Sequence, residues 1–208
     1  FTYLYDKYIL ENHNFDLYNQ WNTNYFLNCN PIIIEIGCGR GEYTVGLAEK
    51  YPNKNFIGID YKSNRMWTGA KHALDNNLQN VAFIRTKVEF LNKVFAQNEI
   101  DEIWITFPDP QVQKSREKKR LTHPRFLELY RKFLKPEGII HLKTDNDVFF
   151  TYTLETLEKF KIQPIIYSFD VYHDNRIELD EIKSIQTYYE KLFTEKGHRI
   201  KYCQFQLK

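Results

Sequence analysis

Short apolar runs alternate with stretches of helical period along most of this chain. Strand-sized runs occupy residues 32–36, 56–60, 81–85, 102–107 and 139–144, with two more at 164–169 and 199–207. Between and after them, residues 43–51, 64–77, 88–96, 124–134, 148–160 and 185–196 read as helices. Pro124 suits a first helical turn, where its missing N–H leaves no bond unmade. Strands alternating with helices predict an α/β, Rossmann-like fold: a mostly parallel seven-stranded sheet with helices on both faces. Ligands in such open sheets lie at the carboxyl ends of the strands, near the point where strand order reverses. Residues 1–30, rich in Tyr, Asn and Phe, lack clear periodicity. They are expected to form an N-terminal extension packing on a domain of residues 31–208.

Composition narrows the class. The 208 residues suffice for one domain with a full core. Hydrophobic residues make up 42% and charged residues 27%, which is ordinary for a soluble globular protein. No apolar stretch approaches the roughly 18 residues of a membrane span, so no membrane partner is expected. Residue 1 is phenylalanine, and the residues present carry no signal-peptide pattern. Cys29, Cys38 and Cys203 are scattered and odd in number, without a CxxC pair. That predicts no metal site and reduced thiols in a cytoplasmic protein. Net charge is only +2, but its distribution is uneven. Residues 114–135 hold nine basic side chains against two acidic ones, so that stretch carries +7 and the remainder −5. Such asymmetry favours a polyanionic partner over an evenly solvated face.

The first strand runs into Glu35-Ile36-Gly37-Cys38-Gly39-Arg40-Gly41-Glu42. Glycines let the backbone turn tightly and approach a ligand, and the following helix points its N–H groups at it. Asp60 ends the second strand about twenty residues later, placed to accept hydrogen bonds from a ribose diol. A dinucleotide fingerprint, GxGxxG, needs its third glycine where this chain has Glu42. The glycines here fall as GxGxG, with Glu35 two residues before the first. That is the S-adenosylmethionine pattern of Rossmann-like methyltransferases, in which an acid beside the loop can pair with the cofactor's ammonium group. A nicotinamide oxidoreductase is disfavoured by the same spacing.

Phe107-Pro108-Asp109-Pro110 follows the fourth strand, where a methyl acceptor would lie, and the prolines restrict the backbone around Asp109. Lys143-Thr144-Asp145-Asn146 ends the fifth strand in the same way. Thr187-Tyr188-Tyr189-Glu190 comes near the C-terminus with capping-box spacing. Taken in order, EIGCGRGEY, FPDP, the basic stretch Lys118-Lys119-Arg120-Leu121-Thr122, HLKTDN and TYYEKLF resemble the bacterial tRNA (guanine-N7-)-methyltransferase family of class I Rossmann-like methyltransferases. The resemblance spans residues 31–205. It implies methyl transfer from S-adenosyl-L-methionine to N7 of a variable-loop guanosine in tRNA. Cofactor contacts then fall on Glu35, Gly37, Gly39, Gly41 and Asp60, and the catalytic role on Asp109, which also borders the cofactor. Asp145, Thr187, Tyr189 and Glu190 fall near the acceptor nucleotide, with Lys114 and Arg116 on the tRNA.

Two departures stand out. The family commonly has tryptophan and then lysine after PDP, whereas this chain has Gln111, Val112 and Gln113. A substrate lysine of the family maps onto Gln113, and Lys114 is the nearest replacement. The family acid at the adenine maps onto Lys87, and Glu89 is the closest carboxylate. Two other readings compete: a Rossmann-like methyltransferase acting on a small molecule or protein, and a non-catalytic RNA-binding subunit. The intact Glu35, GxGxG and Asp60 argue against the second. The oligomeric state is expected to be monomer or homodimer.

Overall fold

The run Ile32-Ile33-Ile34-Glu35-Ile36 is buried at every position, because its strand lies mid-sheet with helices on both sides. In the computed structural model, which describes residues 9–11 and 15–208, all seven expected strands form. They are β2 (Ile32–Ile36), β3 (Asn55–Asp60), β4 (Val81–Arg85), β5 (Ile100–Thr106), β6 (Leu134–Thr144), β7 (Pro164–Ser168) and β8 (Lys201–Gln206). A short strand from the N-terminal extension, β1 (Ile9–Glu11), adds an eighth by pairing parallel with β4. The rest of the unperiodic segment up to residue 14 lies outside the described residues. The strand order is β1-β4-β3-β2-β5-β6-β8-β7, parallel except that β8 runs against both β6 and β7.

The helices are α1 (Glu42–Lys50), α2 (Ser63–Asp75), α3 (Leu91–Val94), α4 (Pro124–Tyr130), α5 (Asp147–Lys159), α6 (Asp180–Ser184) and α7 (Tyr188–Glu195). One face of the sheet packs α1, α2 and α6 through residues such as Tyr43, Leu47, Met66, Ala70, Ile182 and Tyr202. The other packs α4 and α5 through Phe126, Tyr130, Phe149, Phe150 and Leu157. Trp21, in a wide helical turn (Trp21–Phe26), joins that second layer and donates its indole N–H to the Val94 carbonyl at 3.2 Å.

Three element boundaries differ from the sequence reading. The helix expected over 88–96 is a tight turn (Val88–Phe90) followed by the single turn α3. The helix expected over 124–134 stops at Tyr130, because Leu134 is drawn into the sheet opposite Ile100. The register then slips, so that Glu102 faces Ile139, and Lys135-Pro136-Glu137-Gly138 form the irregular stretch between the two pairings. The last helix begins at Tyr188 rather than 185. It follows α6 and two short turns (Val171–His173 and Ile177–Leu179) that have no periodic signature. Strand order reverses between β2 and β5, so the loops leaving their carboxyl ends diverge and leave a cleft.

Candidate active site

A cavity of about 470 Å³ occupies this cleft. Its floor is the glycine loop between β2 and α1. The N–H groups of Gly37 and Cys38 both donate to the Ile59 carbonyl, at 2.7 and 3.0 Å, and lay the loop across the end of β3. Gly37, Gly39 and Gly41 have φ of +80°, +54° and +73°, a region that side chains other than glycine rarely adopt. The three serve different needs. A Cβ at Gly41 would lie 2.5 Å from the Phe83 ring, whereas one at Gly37 or Gly39, both lining the cavity, would meet only open space.

Two carboxylates hold this floor. Asp60 accepts from the Gly39 N–H at 3.0 Å through one oxygen and from the Lys62 N–H at 2.9 Å through the other. Glu35 is buried, and one of its oxygens accepts from the Thr44 backbone N–H at 2.9 Å and from the Thr44 hydroxyl. Its other oxygen accepts from the Thr106 hydroxyl, so the side chain ties β2, β5 and the first turn of α1 together across the switch point. Burial outweighs these hydrogen bonds and pushes the Glu35 carboxyl up to about 7.

The opposite wall comes from the β5 exit. Phe107 adopts φ +45° and donates its N–H to the Lys143 carbonyl at 2.8 Å, turning the chain before Pro108. Asp109 is exposed at the cavity lip, and its carboxylate accepts from the Gln111 N–H at 3.1 Å. Gln111 has φ +46°, and its side-chain oxygen, buried on the cavity wall, meets no hydrogen-bond partner. Arg120 pins this loop from behind. It donates to the Gln111 carbonyl at 3.2 Å and the Val112 carbonyl at 3.5 Å and stacks 4.3 Å above the Tyr152 ring. The third wall is the start of α7. Thr187 accepts from the Glu190 N–H at 3.1 Å as the helix cap, and Thr187 and Tyr189 both line the cavity.

Glu35, Gly37, Gly39, Asp60, Glu89, Asp109, Thr187 and Tyr189 therefore meet around one space. Gly41 lies just beneath it, at the α1 cap. Glu89 reaches it while paired with Arg125 at 3.0 Å. Four other expected site residues lie elsewhere. The Glu190 side chain is fully buried against Lys143, at 2.7 Å, and forms no part of the lining. Asp145 borders a separate polar depression with Lys196, His198 and Lys201. Lys114 and Arg116 are exposed on the turn Lys114–Lys119, off the cavity, and Lys119 is the cation of that turn that reaches it. Sequence reasoning passed over Arg40 and Glu42. Arg40 lies 5.3 Å from the Tyr188 ring, and Glu42 accepts from the Tyr188 N–H at 3.0 Å, so the glycine loop and α7 are coupled directly. The replacement of the third dinucleotide glycine by Glu42 was the available signal.

Among the described residues no cluster of His, Cys, Asp or Glu is arranged to hold a metal ion, and no helix is long and apolar enough to cross a membrane. The three cysteines are free thiols.

Comparison with known proteins agrees with the geometry. A family model described as a putative methyltransferase matches residues 29–203. The tRNA (guanine-N(7)-)-methyltransferase of Bacteroides thetaiotaomicron is 48% identical over 198 residues, covering 95% of this chain and 77% of that protein. The enzyme of the same name from Christiangramia forsetii is 50% identical over 194 residues, covering 93% of this chain and 86% of that one. Among solved structures, the 16S rRNA methyltransferase KamB superposes with a TM-score of 0.65 at 12% identity, over 90% of this chain and 91% of that one. An antibiotic-related methyltransferase gives 0.63 at 19% identity, over 88% and 90%. These last two speak for the fold alone. With half of its residues shared with curated relatives along nearly its whole length, the chain belongs to the tRNA (guanine-N(7)-)-methyltransferase family.

Proposed function

We propose that this chain transfers a methyl group from S-adenosyl-L-methionine to N7 of a guanosine in the variable loop of tRNA. The observation that carries the reading is Asp109, held at the lip of the same cavity whose floor is the glycine loop and Asp60. The residues present fit the cofactor. Gly37 and Gly39 leave open space where side chains would otherwise project, Asp60 offers acceptors for a diol, and Glu35 is a buried carboxylate suited to a nearby cation. When bound, S-adenosylmethionine supplies an electrophilic methyl group on a sulfonium centre.

Guanine N7 has an in-plane lone pair and carries no proton, so no residue has to remove one there. The base becomes cationic on methylation, and a fixed carboxylate beside it is favoured as that charge develops. Asp109 can also accept from guanine N1–H and the exocyclic amino group, which adenine cannot offer in the same pattern. Its role is orientation and electrostatic stabilisation, and alignment of the reacting atoms supplies much of the acceleration. Thr187 and Tyr189 line the same cavity as Asp109 and help to bound the space for the base. The target guanosine has to leave its stack to enter.

In this reading residues 31–208 form the transferase domain and residues 1–30 an N-terminal extension, of which Trp21 braces the domain. The reading is compatible with a monomer or a homodimer. The substrate places the enzyme in the cytoplasm. Incubating the protein with labelled cofactor and unmodified tRNA, then mapping the modified nucleotide, tests the activity and its position. Label at another position, or on a small molecule or protein in preference to tRNA, would overturn it.

A further inference from the structure

Lys143 is a fully buried lysine near the end of β6, away from the cavity lining. Its ammonium donates to three acceptors: the Glu190 carboxylate at 2.7 Å, the Ile182 carbonyl at 2.7 Å and the Ile185 carbonyl at 3.1 Å. That uses all three of its donors. The acceptors come from α6, from the irregular segment after it, and from α7. Tyr172 donates its hydroxyl to the same Glu190 oxygen at 2.7 Å, and Gln186 donates to that hydroxyl at 2.7 Å. Meanwhile the Lys143 backbone carbonyl accepts from Phe107, the residue whose left-handed turn sends out Asp109.

We infer that Lys143 is a positioning residue for methyl transfer: its carbonyl sets the Asp109 turn, and its ammonium sets the Thr187–Tyr189 wall of the same cavity. The inference rests on the proposed reading of the cavity. Residues 185–187 form no regular element that could hold them, and the Thr187 cap fixes the start of α7 only relative to itself. Glu42 ties the first residue of α7 to α1, and Glu190, held by Lys143 and Tyr172, ties the helix to β6 and sets how it turns over the cavity. An apolar pair of similar volume could fill the same space. It could not dictate where residues 182, 185 and 190 stand, because apolar contacts carry no direction. Burial disfavours the charged form of Lys143, and Glu190 opposes that, as expected for an ammonium kept for its contacts. The glycine loop has its own anchors in Glu35 and Asp60 and does not depend on this joint.

The test pairs Lys143→Met with Glu190→Gln in one chain, since removing both charges avoids leaving either one buried and unpaired. The double variant is expected to keep its cofactor Kd within about threefold while kcat on unmodified tRNA falls roughly 100-fold, the loss that a misplacement near 1 Å can cause. Amide hydrogen exchange is expected to quicken at residues 185–190 and to stay unchanged at 37–41. Wild-type kcat in a folded double variant, or unchanged exchange at 185–190, would overturn the inference. So would a loss of kcat matched by equal losses in cofactor affinity and Tm, since that marks a purely structural role. If the double variant does not fold, Lys143→Arg decides. Its planar fork retains the charge but cannot reproduce the three-way geometry, so kcat should fall about tenfold with cofactor Kd held. An unaltered kcat there counts against the inference. A wild-type protein inactive on tRNA would sink the proposed function instead, and the exchange arm, which needs no substrate, would still decide on Lys143.

Discussion

Asp109 and Glu35 are both carboxylates at one cavity, yet their surroundings give them opposite behaviour. Asp109 is exposed and bonded only to the loop it sits on, so its removal leaves the core untouched. Asp109→Ala should cut methyl transfer by about 100- to 1000-fold, the scale of losing one electrostatic stabiliser, with cofactor affinity changed no more than severalfold. Asp109→Asn keeps an acceptor and loses the charge, and is expected to be nearly as damaging. Steady-state kinetics on unmodified tRNA, with a separate cofactor titration, check both, and near-normal turnover by the alanine variant would refute the assignment. Glu35 behaves differently because burial lifts its carboxyl from 4.5 to about 7. Between those values the folded state binds more protons than the unfolded one, so stability falls as pH rises through that window. The total is on the order of 3 kcal/mol. Glu35→Gln should therefore stabilise the cofactor-free protein at pH 8, leave it little changed at pH 4.5, and weaken cofactor binding. Melts of the two proteins across pH 4.5–8 would show parallel curves if Glu35 does not carry this dependence.

At the scale of elements, the glycine loop separates two reasons for glycine that the sequence presents as one motif. Gly41→Ala drives a Cβ into the Phe83 ring at a positive φ, so it should destabilise the fold by about 1–3 kcal/mol in a urea titration. Gly39→Val meets open space instead. It should abolish cofactor binding, because the branched side chain fills the cradle, and should also cost about 1–3 kcal/mol of backbone strain at φ +54°. If both variants bind the cofactor normally, the loop is only a turn. The motif itself was legible because its spacing is chemical: strand, tight turn and helix cap must follow one another. Strands β2 to β5 were legible because buried apolar runs leave few alternatives. The segment between β7 and α7 was not, since its short turns have no period to read. Its organiser is Lys143, whose partners lie about 40 residues ahead in sequence. The burial of Glu190 away from the cavity was not legible for a related reason. Its place in a capping-box pattern showed that a helix starts there, and the strand behind it decided where the carboxylate points.

On the scale of the whole molecule, the +7 stretch divides into parts with different duties, which composition could not distinguish. Arg120 is buried and braces the Asp109 loop, whereas Lys114, Arg116 and Lys118 are exposed beside the cavity mouth, and Lys119 reaches the lining. Replacing Lys114, Arg116 and Lys118 together with Ala removes only solvated side chains, so the melt should stay within experimental scatter. If these three hold tRNA phosphates, tRNA affinity should fall and the slope of log K against log salt should flatten by roughly 0.7–0.9 for each phosphate no longer neutralised. The weakening should appear in the tRNA KM before kcat, because phosphate contacts position the substrate while the cavity does the chemistry. Arg120→Ala should give the reverse signature: a lower kcat and a lower Tm with little change in salt slope, since its guanidinium already serves the Gln111 and Val112 carbonyls. Filter binding of unmodified tRNA across a salt series, run beside thermal melts, separates the two. A triple variant with wild-type affinity and slope at every salt would show that the exposed cations are a solvated face, and that the tRNA is gripped elsewhere on the molecule.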